Sequence, residues 1–259
     1  MSFSNVYDDV VRARTYATLE FPGTYYLAYR DLPAILAEHV TGREALDFGC
    51  GAGRSTRFLK KLGFDAAGID ISAGMVDLAR SFDPEGTYRL VDDGDFRAFA
   101  PASFDLIFSA FAFDNIPDAA RRRGLLRGLG SLLKSEGRIV LLGSTPDIYM
   151  HEWASFTTKE FPENRRAKGG DTVRIVMKDV EDERPVVDLI WFHEDYLKLF
   201  AASELELVRR YMPLGQESEP YAWLAETSTA PWVIYVLRKV QDAVIASCSP
   251  APAPDGAGL

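Results

Sequence analysis

The stretch Leu46-Asp47-Phe48-Gly49-Cys50-Gly51-Ala52-Gly53 constrains this fold more than any other. A short apolar run ends in glycines at alternate positions, and residues 54–62 then read as a helix closed by Gly63. Glycine reaches positive φ without the penalty a Cβ brings, so the chain turns sharply and comes close to a ligand. A strand, a tight glycine turn and a helix are what an adenosine-linked ligand needs when it lies across the strand ends of a doubly wound sheet. The spacing also excludes alternatives. A dinucleotide fingerprint places its third glycine at position 54, which is Arg54, and no lysine follows in P-loop spacing. A pyrophosphate cradle is therefore not indicated, and a cofactor without phosphates fits better.

The same alternation continues. Residues 45–48, 66–70, 88–91, 104–109 and 138–143 read as strands, and 72–80 and 119–133 as helices, with Ser72 able to cap the first of these. Strands alternating with helices predict an α/β fold whose parallel sheet is covered on both faces. Residues 5–39 read as helical, interrupted at Pro22-Gly23, and form an expected cap over 1–43. After Ser144 the rhythm breaks. Two alternating runs, 172–177 and 186–191, predict a β-hairpin lid inserted after strand five, within 145–193. A helix over 194–202 and an antiparallel pair, 205–209 with 232–238, complete one domain over 1–240. The end, 241–259, lacks apolar periodicity and is expected to be disordered.

A net charge of −9 argues against nucleic acid as a partner. The run Arg121-Arg122-Arg123 reads as a solvated helix face. Cys50 and Cys248, the two cysteines, suggest neither a disulfide framework nor a metal site, and no stretch has the length of a membrane span. The expectation is a soluble cytoplasmic protein, monomer or homodimer, without a metal or membrane partner.

Asp70 closes the second strand in Gly68-Ile69-Asp70-Ile71-Ser72. A carboxylate there accepts hydrogen bonds from both hydroxyls of a ribose. With the glycine turn and Ser103-Phe104-Asp105-Leu106-Ile107-Phe108, this segment resembles the class I S-adenosylmethionine (SAM)-dependent methyltransferases. The small-molecule branch that includes the ubiquinone and menaquinone methyltransferases is the part it resembles, and Leu132-Leu133-Lys134-Ser135-Glu136-Gly137-Arg138-Ile139 matches the approach to that family's fifth strand. The resemblance covers roughly residues 44–143. It implies a Rossmann-like, seven-stranded, mostly parallel sheet with helices on both faces, SAM as cofactor and a small-molecule methyl acceptor. It also implies roles. Asp47 would face the cofactor's ammonium, and Gly49 and Gly51 would back its methionine and ribose. Asp70 would hold the ribose, with Ile71 and Met75 against the adenine. Asp93, or Asp92 one position away, would accept from the adenine amino group, with Gly94 and Asp95 offering backbone N–H. Ser109 would lie beneath the sulfonium. An acidic surface turn is the alternative for 92–95.

Methyl transfer needs alignment and exclusion of water, and a base only when the nucleophile carries a proton to lose. Of the histidines, His39 and His193 stand at helix ends and read as structural. His151, in Tyr149-Met150-His151-Glu152-Trp153, follows strand five and reads either as a general base or as a packed loop residue. Asp114, after strand four, either binds the acceptor or caps the helix beyond Pro117. Tyr16, Tyr25, Tyr26 and Arg30 would overlie the cofactor if the first helices form a cap, and Arg30 or Arg54 would pair with the methionine carboxylate. The expected activity is methyl transfer to nitrogen or oxygen ahead of carbon. The alternatives are a cyclase or decarboxylase of the same fold, or a non-catalytic scaffold.

Overall fold

The apolar runs of the sequence become strands buried on both faces, the condition that makes a parallel strand read as continuously hydrophobic. In this computed structural model, residues 22–240 are described, apart from 179, 181 and 183. The helical reading over 5–21, Tyr16 and the tail with Cys248 lie outside the described residues. Helices α1 (Thr24–Arg30) and α2 (Leu32–His39) lead into β1 (Glu44–Phe48), α3 (Arg54–Lys61), β2 (Asp65–Asp70), α4 (Ala73–Phe82) and β3 (Thr87–Leu90). Then come β4 (Phe104–Ala110), α5 (Ala119–Leu132) and β5 (Leu133–Ser144).

Seven strands form one sheet in the order β3-β2-β1-β4-β5-β10-β9, where β9 is Leu205–Tyr211 and β10 is Trp232–Lys239. Leu46 of β1 pairs with Ala67 of β2 on one side and Ile107 of β4 on the other, both in parallel. The chain runs outward from β1 to β3 and then jumps back to β4. That reversal opens a crevice beyond the carboxyl ends of β1 and β4. β10 is antiparallel to both β5 and β9, as the final pair in the sequence suggested.

Along β5, Ile139 and Leu141 pack on one face with Leu125, Leu126 and Leu129 of α5 and with Leu199 and Phe200 of α6 (His193–Ala202). Val140 and Leu142 face the other way, toward Leu27 of α1 and Leu32 and Leu36 of α2. Ser72 caps α4 by accepting from the Met75 N–H. Asp118, not Asp114, caps α5 through the Arg121 N–H at 2.7 Å. β5 begins earlier than its apolar core because Leu133 already pairs with Phe104.

The predicted hairpin is present and has a third strand. β6 (Phe156–Thr157), β7 (Thr172–Met177) and β8 (Val186–Leu189) form a second sheet in the order β6-β7-β8. Two residues are too few to show alternation, so β6 is silent in the sequence. Val173, Ile175 and Met177 join the core that holds Tyr25 and Trp232. The arginine run is also not a solvated face. Arg122 is buried, its guanidinium 4.1 Å from the Trp191 ring centroid and 4.8 Å from that of Tyr196. No described helix is long and apolar enough to cross a membrane.

Candidate active site

The glycine turn sits at the mouth of the crevice. Gly49 has φ +70°, and a Cβ there would lie 2.5 Å from the Cβ of Ala112. Gly51 has φ +52°, and a Cβ there would meet nothing within 4 Å, because it would project into open cavity. Asp70 braces this turn: its carboxylate accepts from the Gly51 N–H at 2.8 Å and the Ser72 N–H at 2.9 Å. Burial pushes its pKa up, and these backbone bonds pull against that rise. Each carboxylate oxygen keeps a further lone pair, so the group can still receive two hydroxyls.

Beyond Asp70 the cavity is a slot between Ile71, Met75, Val91 and Leu125, with Asp93 at its rim. Asp93, not Asp92, lines it, and Asp93 pairs with Arg121 at 2.8 Å. Apolar side chains beside a carboxylate suit a purine that donates from an amino group. A carboxylate able to accept two hydroxyls, apolar walls and a glycine with open space before it together fit SAM.

The other end of the cavity lies under β4, β5 and the second sheet. Asp114 is buried there, accepting from the Ser144 N–H at 3.0 Å and the Tyr196 hydroxyl at 3.2 Å. Burial lifts its pKa to about 6, against those bonds and the charge of Arg122. A folded-state value above the ordinary 3.8 means the native state holds the proton more tightly than the unfolded chain. The stability from this group is therefore complete below about pH 4 and lost as pH rises through about 6. Asp114→Asn cannot lose it. Urea melts should show the variant gaining on the wild type by roughly 2–3 kcal/mol between pH 4 and pH 7. A difference that stays flat with pH would count against a buried, titrating Asp114.

Several sequence-predicted residues lie elsewhere. Asp47 does not line the cavity. It is fully buried and accepts from the Ser55 and Thr56 hydroxyls at 2.6 Å each, tying β1 to the start of α3. Burial raises its pKa to about 6. Ser109 is buried within β4 away from the cavity. Gly94 turns the chain with φ +73° and does not line it, and Asp95 is engaged by Arg97. Tyr26 packs on Tyr221, and Arg30 is held by Asp31 and Glu219 at 2.8 and 2.7 Å, both facing away. The helical period is the reason: Tyr25 and Tyr29, four residues apart, share the inner face of α1 and line the cavity instead. His151 is also outside. It stands half-exposed beside Asp147 at 3.8 Å and edge-on to Trp153. His151→Ala should leave turnover within about twofold of the wild type, since surface changes away from a site usually cost little. A large loss in a steady-state assay would return this residue to the chemistry.

The sequence reading did not identify Tyr29, Phe111, Asp188 and Trp232 as cavity residues, and all four line it; Tyr149, at the start of the 149–153 segment read as a place for the acceptor, lines it too. Arg54, weighed there as a partner for a carboxylate, also lines the cavity and lies over the rings of Tyr25 and Tyr29 at 5.3 and 5.7 Å. Only the Asp at an inward position of β8 left a signal, a charge breaking the alternation of 186–190.

Strand order, glycine turn and acidic residue after β2 together define the class: a doubly wound, Rossmann-like α/β fold. Residues 46–141 match the family described as "Methyltransferase domain". An uncharacterized methyltransferase of Bacillus licheniformis is 32% identical over 54% of this chain and 62% of its own length. This chain thus spans about three fifths of that relative. N-demethylindolmycin N-methyltransferase of Streptomyces griseus is 26% identical over 74% of this chain and 82% of its own. A putative SAM-dependent methyltransferase structure from Listeria monocytogenes shares the fold, with TM-score 0.60, 15% identity and coverage of 83% and 97% of the two chains.

Proposed function

We propose that this chain transfers the methyl group of SAM to a nitrogen or oxygen of a small molecule. The observation that carries this reading is one continuous cavity, running from the Asp70 carboxylate and the glycine turn to Asp114 beneath the second sheet. In this reading Asp70 accepts from the ribose hydroxyls, Ile71 and Met75 flank the adenine, and Asp93 accepts from its amino group. Gly49 and Gly51 let the backbone pass close to the cofactor. Arg54 pairs with the methionine carboxylate. The cofactor supplies an activated methyl on a sulfonium, so the chain mainly aligns the acceptor and excludes water. Tyr25 and Tyr29 present aromatic faces suited to a nearby positive charge. In the same reading Asp114, its pKa lifted to about 6 by burial, takes a proton from the acceptor. The similarity to N-demethylindolmycin N-methyltransferase of Streptomyces griseus agrees with a small acceptor. The second sheet walls the acceptor end through Ile175, Val186 and Asp188, in the manner of a lid.

Incubation with SAM and metabolite extracts tests the reading. S-adenosylhomocysteine should accumulate with one methylated product. Conversion of a metabolite with SAM left intact would favour a cyclase or decarboxylase, and absence of any binding to SAM or S-adenosylhomocysteine would overturn the assignment.

A further inference from the structure

We propose that Arg122 is a positioning residue for the transfer: out of the ligand's reach, it holds the Asp114 carboxyl in its ionised form through the Tyr196 phenol. This rests on the methyl-transfer reading above. Arg122 follows the Asp118 cap of α5, and Leu125, Leu126 and Leu129 come three, four and seven residues later. These positions share one helix face, which is the buried one. A cation therefore stands where the pattern reserves an apolar side chain. Arg122 is 2% exposed and does not line the cavity. Its Nε and Nη2 find no hydrogen-bond acceptor among the described residues.

A guanidinium does not shed its proton in a protein, so its burial costs stability unless an opposite charge or an electron-rich face meets it. Two rings do: the guanidinium lies over Trp191, just past β8, at 4.1 Å and over Tyr196 of α6 at 4.8 Å. The Tyr196 hydroxyl donates in turn to Asp114 Oδ1 at 3.2 Å, while the Ser144 N–H donates to Oδ2 at 3.0 Å. A cation against a phenol ring draws electron density from the hydroxyl and sharpens it as a donor. A sharper donor favours the charged form of the carboxyl it serves. The groups that face Asp114 are Ser144 of β5, Arg122 of α5, Tyr196 of α6, Tyr149 of the turn after β5 and Tyr235 of β10. Asp188 of β8 stands beyond Tyr149, which donates to it at 3.0 Å. Arg122 is the cation of this set. Burial pushes the Asp114 carboxyl up, the Ser144 bonds pull it down, and Arg122 adds the pull of a charge.

An ionised Asp114 takes the proton from the acceptor's N–H or O–H. A lone pair on that nitrogen or oxygen bonds the methyl as the C–S bond breaks, and the C–S electron pair stays on sulfur. The products are the methylated acceptor, S-adenosylhomocysteine and a protonated Asp114, which returns its proton to solvent. A neutral Asp114 would offer a proton instead of taking one. Removing the Arg122 charge moves the carboxyl toward that neutral form and leaves every cavity-lining side chain unchanged.

Urea melts of the full chain across pH test this, comparing Asp114→Asn with its parent in the wild-type, Arg122→Met and Arg122→Lys backgrounds. With Arg122 in place, the gain of Asp114→Asn over its parent levels off near pH 6. In Arg122→Met it should keep growing over at least about one further pH unit, the shift an opposite charge brings, and end about tenfold larger in the unfolding constant. Arg122→Lys keeps a cation and should bring the plateau back toward pH 6. A packing role alone would lower stability equally at every pH and leave the plateau where it is. Arg122→Met should also hold S-adenosylhomocysteine within about twofold of the wild-type affinity, since the residue lies outside the cavity. An unmoved plateau in Arg122→Met, or no return in Arg122→Lys, would overturn the proposal. If Arg122→Met does not fold, Arg122→Gln takes its place with the same expectation. In the metabolite-extract assay the acid limb of turnover should rise with the plateau. A wild type without such a limb strikes the base role given to Asp114 above, a failure separate from that of the melts.

Discussion

Asp70→Ala is expected to weaken S-adenosylhomocysteine binding by more than about 100-fold. Two ribose hydroxyls donating to one carboxylate form charge-assisted bonds of about 1.5–3 kcal/mol each, and about 1.4 kcal/mol is tenfold in affinity. The substitution also strips the Gly51 and Ser72 N–H groups of their acceptor, so the turn itself loosens. Asp70→Asn should fall between, because its amide oxygen still accepts while its NH2 opposes a donor. Calorimetry with S-adenosylhomocysteine reads the effect, with thermal melts to show that the variants fold. A loss below fivefold for Asp70→Ala would mean that the ribose is held elsewhere.

Glu226→Ala should cost about 4 kcal/mol of stability. Glu226 is fully buried in the loop between β9 and β10. Its Oε1 accepts from the Thr24 hydroxyl and the Ala154 N–H, both at 2.7 Å, and its Oε2 from the Leu224 N–H at 2.8 Å. Removing the carboxylate leaves the buried Thr24 hydroxyl and the part-buried Ala154 and Leu224 N–H groups without it, at about 1–3 kcal/mol for a buried donor and less for the others before relaxation. For a chain of this size the melting temperature should drop by roughly 10 °C. Glu226→Gln keeps one acceptor oxygen and should lose about half as much. The same knot seats Thr24, whose carbonyl also accepts from the Trp232 indole at 2.7 Å. Tyr25 and Tyr29 follow on α1, so the variant should also weaken ligand binding. A melting temperature unchanged within 2 °C would show that the knot adds nothing net.

The cofactor end of the site was legible in the sequence, and the acceptor end was not. Ile71, Met75 and Asp93, which the family resemblance pointed to, all line the cavity, because each lies at or just beyond the carboxyl end of β2 or β3. Asp114 was legible as a choice between two roles, and the buried carboxylate with Asp118 as the cap removes one of them. His151 attracted attention because histidine is versatile, yet the turn after β5 leaves it on the outside. Asp47 and Ser109 were placed by the family resemblance alone. Strand residues alternate between faces, and in these strands those two side chains point away from the cavity.

By itself the sequence determined the parallel core, the glycine turn and Asp70, because these depend on local backbone requirements: positive φ at Gly49 and Gly51, apolar runs, and a carboxylate at a strand end. Tertiary structure alone decided which face of α1 looks inward, that Arg122 and Glu226 are buried, and that Asp188 meets Tyr149. Each of these joins segments far apart in the chain: Thr24 and Glu226 are 202 residues apart, Tyr149 and Asp188 are 39. A charged residue in a loop reads as solvated until another segment packs over it. No local pattern encodes that packing, since burial is a property of the assembled core.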